Sequence, residues 1–326
     1  MPHPRAFVAP LSAALAAAAF ALPQVSPATA SEPRAETTRA TTPPTPTTPT
    51  TPTTTLQCPD ATVQVTTAKE LTDALKRARA GTVIQLADGV YQGRFKATAK
   101  GSSSRPVWLC GGPGAVLDGG STSTGYVLHV NKAQHWRFVG FTLRNGKKGV
   151  MTDQARNNIF DGLDIGTIGE EGIHLRDNSR SNELRGLRVH DTGLLNPQFG
   201  EGVYVGSALN HSDIENGRPD RSDDNVIRDS TIWNTAAEAF DLKEGTSRGR
   251  VLDNIIDGAG TTAVDSVLDA KGNDWLIRGN RVSNPPMDVF QIHVRWKGWG
   301  QRNVFTENWL ASGDPAPVPP EPKPKR

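Results

Sequence analysis

Three columns of titratable residues can be read along the middle of this chain. The segments GIHLR (172–176), GVYVG (202–206), AFDLK (239–243), VLDAK (267–271) and VFQIH (289–293) share one alternating pattern. Aligned on it, His174, Tyr204, Asp241, Asp269 and Gln291 fall at one position, with Arg176, Gly206, Lys243, Lys271 and His293 two residues on. Three residues before the first column stand Glu171, Glu201 and Glu238, continued by Ser266 and Asp288. Such a set suits β-elimination from an acidic sugar. A cation neutralises the carboxylate, a base removes the C5 proton, and an acid protonates the leaving C4 oxygen. Lys243 supplies charge, and a crowding cation such as Lys271 lowers its pKa toward that of a base. Tyr204 is a phenol that can give or take a proton. Lys271, Arg176, His174, His293, Asp241 and Asp269 are then expected to bind substrate or neutralise its charge.

These columns require elements that stack. Within each segment the alternation has a period of two, so Ile173, Leu175, Val203, Val205, Phe240, Leu242, Leu268, Ala270, Phe290 and Ile292 share the other face. A second motif repeats alongside: FVGFTL (138–143), FDGLDI (160–165), LRGLRV (184–189), IRDSTI (227–232), VLDNII (251–256), IRGNRV (277–282) and FTENWL (305–310). Its copies start 22 to 28 residues apart, except for one gap of 43 that fits a rung plus an insertion near 207–224. Units this short cannot bury their inner face alone, whereas a stack shares one core. No unit shows a helical period or the L-x-x-L-x-L pattern of a leucine-rich horseshoe. The expected fold is therefore all-β: a right-handed parallel β-helix, with Asn254, Asn280 and Asn308 forming a ladder at one turn. TTAKELTDALKRARAG (66–81) reads as a capping helix with Leu71, Ala74, Leu75 and Ala78 inward and a Gly stop.

Residues 1–30 read as an export signal: Arg5, the apolar LSAALAAAAFAL, and Ala28-Thr29-Ala30 as a cleavage site. The Thr/Pro-rich stretch 31–57 reads as a linker, 58–313 as the domain, and 314–326 as a Pro-rich tail. The protein is thus expected to be secreted, without membrane insertion, and monomeric. Net charge is +2 over 326 residues, and 58–313 balances to neutral, so no nucleic-acid partner is indicated. Cys58 and Cys110, the two cysteines of an exported chain, are expected to pair; two free buried thiols are the alternative.

Glu171, Glu201 and Glu238 would form a like-charge ladder. A bound cation, with calcium the candidate and Glu238 and Glu201 its ligands, would relieve it; pairing with Lys, Arg or turn amides would do the same, and no cofactor is strictly required. The acidic insertion SALNHSDIENGRPDRSDD matches no calcium-loop spacing and reads as a solvated loop at the groove's rim. Trp296 and Trp299 are placed either to stack on sugars or to cover the end of the core.

AGTVIQLADGVYQG followed by KGSSSRPVWLCGGPGAVLDG resembles the opening of the β-helix polysaccharide lyases of the chondroitinase B and alginate lyase group, and the resemblance spans about 66–310. It implies cleavage of a uronate-containing polysaccharide. In that group a Lys base follows calcium-binding Glu residues five and seven positions earlier; here Glu238 stands at five and Ala236 at seven. The group's Arg-His-Gly segment is replaced by VDSVLDAKGN. The pair Tyr204 and Lys243, one rung apart, resembles polysaccharide lyase family 31 better. Two other functions fit the same residues: a glycoside hydrolase using Asp241 with Asp269 or Asp265, and a non-catalytic glycan- or cell-wall-binding solenoid.

Overall fold

The computed structural model describes residues 55–208 and 218–320; the export signal, most of the linker, the insertion's Asp213 and Glu215, and the end of the tail lie outside them. The chain coils through three sheets of ten, eight and nine strands. One turn visits each sheet in order: Trp136–Val139, Thr142–Gly146 and Lys148–Asp153, then Ile159–Asp161 back on the first sheet. Neighbouring strands of each sheet pair in parallel. This is the expected parallel β-helix.

The repeat has a local cause. Its third residue is the corner between two sheets, and each occupies the left-handed region: Gly140 (φ 80), Gly162 (φ 63), Gly186 (φ 58), Asp229 (φ 53), Asp253 (φ 55), Gly279 (φ 73) and Glu307 (φ 54). That conformation costs glycine nothing and aspartate little, which is why those residues recur there. The fourth residue turns inward. It is the buried Phe141, Leu163 or Leu187 in the early turns, and Asn254, Asn280 and Asn308 in the late ones. The Nδ2 groups of Asn254 and Asn280 donate to the next asparagine's Oδ1, each at 2.9 Å. A second ladder, Asn158, Asn182 and Asn225, stands two residues before the repeat. Both satisfy corner amides that burial would otherwise leave unpaired.

One apolar core runs the length of the coil. Helix Ala68–Arg77 covers its first turn with Leu71, Ala74 and Leu75, opened by a capping box of Thr67 and Glu70. It ends at Ala78 in extended conformation, three residues before the expected Gly81 stop. Cys58 and Cys110 are bonded. The bridge sits outside the core, in a small cluster with Val83, Val139, Leu56 and Trp108.

The packed chain reaches beyond 58–313 at each end. Leu56 donates its backbone N–H to Asp161 Oδ2 at 2.6 Å. Ala316 joins the core and its N–H bonds to the carbonyl of Asn308 at 2.8 Å. The insertion's end is not a solvated loop either: Asp220 and Asp223 are buried. Asp220 accepts the backbone N–H groups of Asp177 and Asn178, and Asp223 that of Ser247. Burial is repaid there by several hydrogen bonds to each carboxylate.

Candidate active site

The eight-stranded sheet carries the columns on its outer face. Its strand pairing aligns His174 with Tyr204, Tyr204 with Asp241, Asp241 with Asp269, and Asp269 with Gln291. The columns therefore exist as read. They floor a cleft of about 980 Å³ lined by Glu201, Tyr204, Glu238, Asp241, Lys243, Asp269, Lys271 and His293. One wall holds Gln198 and Phe199, from the short helix Pro197–Phe199, with Ala263 to Asp265; the other holds Arg295 and Trp296.

Lys243 Nζ lies 4.7 Å from the centre of the Tyr204 ring. Gly206 makes room for it. A Cβ there would sit 2.5 Å from Thr246 Cγ2 and 3.2 Å from Lys243 Cβ, and the backbone φ is +90°. The Tyr204 hydroxyl has no hydrogen-bond partner among the described residues, and Tyr204 is one of the residues lining the cleft. Behind the ring stands His174, 4.3 Å away centroid to centroid and edge-on.

Charges alternate along the floor. Asp241 Oδ2 meets Lys243 at 2.5 Å and its Oδ1 meets Lys271 at 2.8 Å; Asp269 Oδ2 meets Lys271 at 2.6 Å and His293 Nδ1 at 2.7 Å. Burial alone would lower the pKa of Lys243, but Asp241, Glu201 and Glu238 outweigh it and hold the ammonium well above its ordinary value. Lys271 is raised against the same burial by Asp241 and Asp269. This corrects the expectation that Lys271 depresses Lys243: a carboxylate lies between the two cations and couples more strongly to each than they do to one another. Burial, then Asp241 and Glu201, pushes Tyr204 well above the usual phenol range.

Glu201, Glu238 and Asp241 each place a carboxylate oxygen within 4.8 Å of the others. Asp241 is committed to its two lysines. Glu201 Oε2 is buried without a partner. Burial, Asp241 and Glu171 push Glu201 upward, and burial and Asp241 push Glu238 upward. Two surplus carboxylates with an orphaned oxygen between them fit a hard, oxygen-seeking cation, with Glu201 and Glu238 as its holders.

Two expected substrate contacts lie outside the cleft. His174 is buried; its Nε2 donates to the Gly206 carbonyl at 2.9 Å and its Nδ1 stands 3.4 Å from Glu171. It positions Tyr204 and the Gly206 turn. Arg176 is drawn back one strand to Asp153, 2.8 Å away. Conversely, sequence reading missed Gln198, Phe199 and Arg295 as lining residues. They sit on loops with no period, so no spacing marked them. Of the two tryptophans, Trp296 lines the cleft and Trp299 is half-buried outside it.

A parallel β-helix with a cleft lined by tyrosine, lysines and carboxylates on one sheet is the architecture of a polysaccharide lyase. The chain is 39% identical to the alginate lyase of Paenibacillus sp. strain FPU-7, whose crystal structure it matches with a TM-score of 0.74 over 79% of this chain and 91% of that one. The chain belongs to the family of that enzyme, among the parallel β-helix polysaccharide lyases. The crystal structure of pectate lyase Pel9A shares the fold, with a TM-score of 0.58 and 12% identity over 80% of each chain. Pectate lyase PEL9 of Emericella nidulans is 25% identical over 186 residues, 52% of this chain but 43% of that protein, so the chain spans less than half of that relative's length. No family model matches.

Proposed function

We propose that this protein is a secreted enzyme that cleaves an alginate-like uronic-acid polymer by β-elimination, with Tyr204 and Lys243 as the proton-transferring pair. The observation that carries this is the Lys243 ammonium set against the Tyr204 ring at the floor of the cleft. Identity to an alginate lyase supports the substrate class, and the disulfide together with the signal-like residues 1–30 supports export.

In this reading the neutral amine of Lys243 takes the C5 proton. The C5–H electrons form the C4–C5 double bond, the C4–O bond breaks, and the Tyr204 hydroxyl protonates the leaving oxygen. The Lys243 ammonium then returns a proton to the tyrosinate, and both groups are reset. Asp241 and Lys271 hold Lys243 in place. His293, half-exposed and kept more basic by Asp269, is the better-placed neighbour for the substrate carboxylate. Calcium held by Glu201 and Glu238 would supply positive charge beneath the site. A glycoside hydrolase is less well supported, because Asp241 and Asp269 are each tied to lysine rather than free to act as acid and base.

The test is incubation with polymannuronate, polyguluronate and polygalacturonate, following ultraviolet absorbance of unsaturated ends. Growth on at least one polymer is expected. New reducing ends without that absorbance would mean hydrolysis, and neither signal would leave a glycan-binding solenoid.

A further inference from the structure

The floor of the cleft is poorly charged for holding a polyanion. Lys243, Lys271 and His293 are each committed to Asp241 or Asp269, and Glu201 and Glu238 add further acid. Arg295, on the wall, makes no ion pair among the described residues and is exposed. Beside it Trp296 lines the same cleft and is 49% exposed, so its indole is open to solvent there. Their loop is held in place. The Gly300 N–H donates to the Lys271 carbonyl at 2.9 Å, Trp299 N–H to the Trp296 carbonyl at 3.2 Å, and Asn273 Nδ2 to the Gly298 carbonyl at 2.8 Å. Gly298 (φ +89°) and Gly300 (φ +69°) supply the left-handed residues that fold it back. The platform is thus pinned to the rung of Lys271.

Resting on the lyase reading above, we propose that Arg295 and Trp296 form a separate sugar subsite: the indole stacks on the ring of a uronate unit away from the scissile bond, and the guanidinium pairs with its carboxylate. The register sets the distance. Arg295 and Trp296 follow the strand Asp288–Gln291, which lies two strands beyond Phe240–Leu242. Two spacings amount to ~10 Å along the coil. A pyranose unit is about as long as one spacing, so a polymer lying along the sheet would bring a unit about two residues from the reacting one over this platform. Guanidinium suits the carboxylate because its planar fork matches the two carboxylate oxygens.

The test measures kcat and KM on sodium alginate and on uronate oligomers of increasing length for wild type, Arg295→Ala, Trp296→Ala, Arg295→Lys and Trp296→Phe. Both alanine variants are expected to raise KM for the polymer roughly 10-fold with kcat within about twofold, the mark of lost binding common to ground and transition states. The wild type's drop in KM with chain length should vanish in them, and the conservative variants should recover part of it. Polymer KM equal to wild type, or a fall in kcat at unchanged KM, overturns the subsite. If the wild type cleaves no uronate polymer, the lyase reading fails by itself. The subsite is then judged by electrophoresis through gels with and without alginate: Arg295→Ala retarded as strongly as wild type overturns it, and lost retardation upholds it.

Discussion

The eight-stranded sheet presents two ionic networks on the same outer face, and they behave differently. On its early strands His129, Asp153 and Arg176 form a closed set: Asp153 sits 2.6 Å from His129 and 2.8 Å from Arg176. Burial would raise Asp153, but these two partners win and hold it at about 2. Next to it, Lys148 neutralises Glu171, which His174 and Lys148 hold at about 2 despite burial. On the later strands the pairs Lys243–Asp241 and Lys271–Asp269 are similarly matched, yet Glu201 and Glu238 are left over and the walls rise into a cleft. Matched pairs with no surplus charge and no cleft beside them are structural. Surplus charge facing a concavity is maintained against the folding energy, and such places are where reactive groups are kept.

The largest effect that could break this distinction is on turnover. Lys243→Ala and Tyr204→Phe should each lower kcat by roughly 10²-fold or more, the scale of a lost acid or base. Near-normal rates for both, on whichever polymer is cleaved, would remove the mechanism. A second effect is on pH. Lys243 is held protonated, so kcat/KM should rise about tenfold per pH unit from neutral into the alkaline range. Asp241→Asn withdraws the main counter-charge and should move that limb to lower pH; an unmoved limb would show that Lys243 is not the titrating base.

The surplus carboxylates make a smaller prediction about stability. Glu201 and Glu238 have folded pKa values above their ordinary ones, so the folded state binds more protons than the unfolded chain. Stability from this source is full below the ordinary carboxylate pKa and is lost as pH rises through the folded values. Without divalent cations the wild-type Tm should therefore fall between acid and neutral pH. Glu201→Gln should flatten the slope and raise Tm at neutral pH by a few degrees, about 1 kcal/mol. Calcium should raise the wild-type Tm and leave Glu201→Gln nearly unmoved; equal shifts would place the cation elsewhere. Smallest for activity is Arg176→Gln, in the matched network. Its kcat should stay within about twofold while Tm falls, the cost of leaving Asp153 Oδ1 without its partner while His129 keeps Oδ2 being about 1–3 kcal/mol. A large loss of activity would mean that the early strands also touch the substrate.

Much of this molecule was legible from residue types alone. Alternation in GVYVG and AFDLK determined which side chains face out, because a strand has a period of two and a slip of one would bury Lys243. Spacing of 22 to 28 residues determined a stack, whereas the left-handed corner at the third residue of each repeat came with the structure. Tyr204, Asp241 and Lys243 were therefore placed on one face by sequence and register. What the sequence could not decide was which charge answers which. Asp241 lies two residues from Lys243 on its own strand, but it also receives Lys271 from the next one, and this three-body contact reversed the expected pKa of Lys243. Arg176 turned to the strand before it, and Arg295 entered the cleft from a loop without a period. Local periodicity governs which way a side chain leaves the backbone. Its partner, its burial and its protonation depend on atoms brought near by distant turns of the coil, and only tertiary structure supplies those.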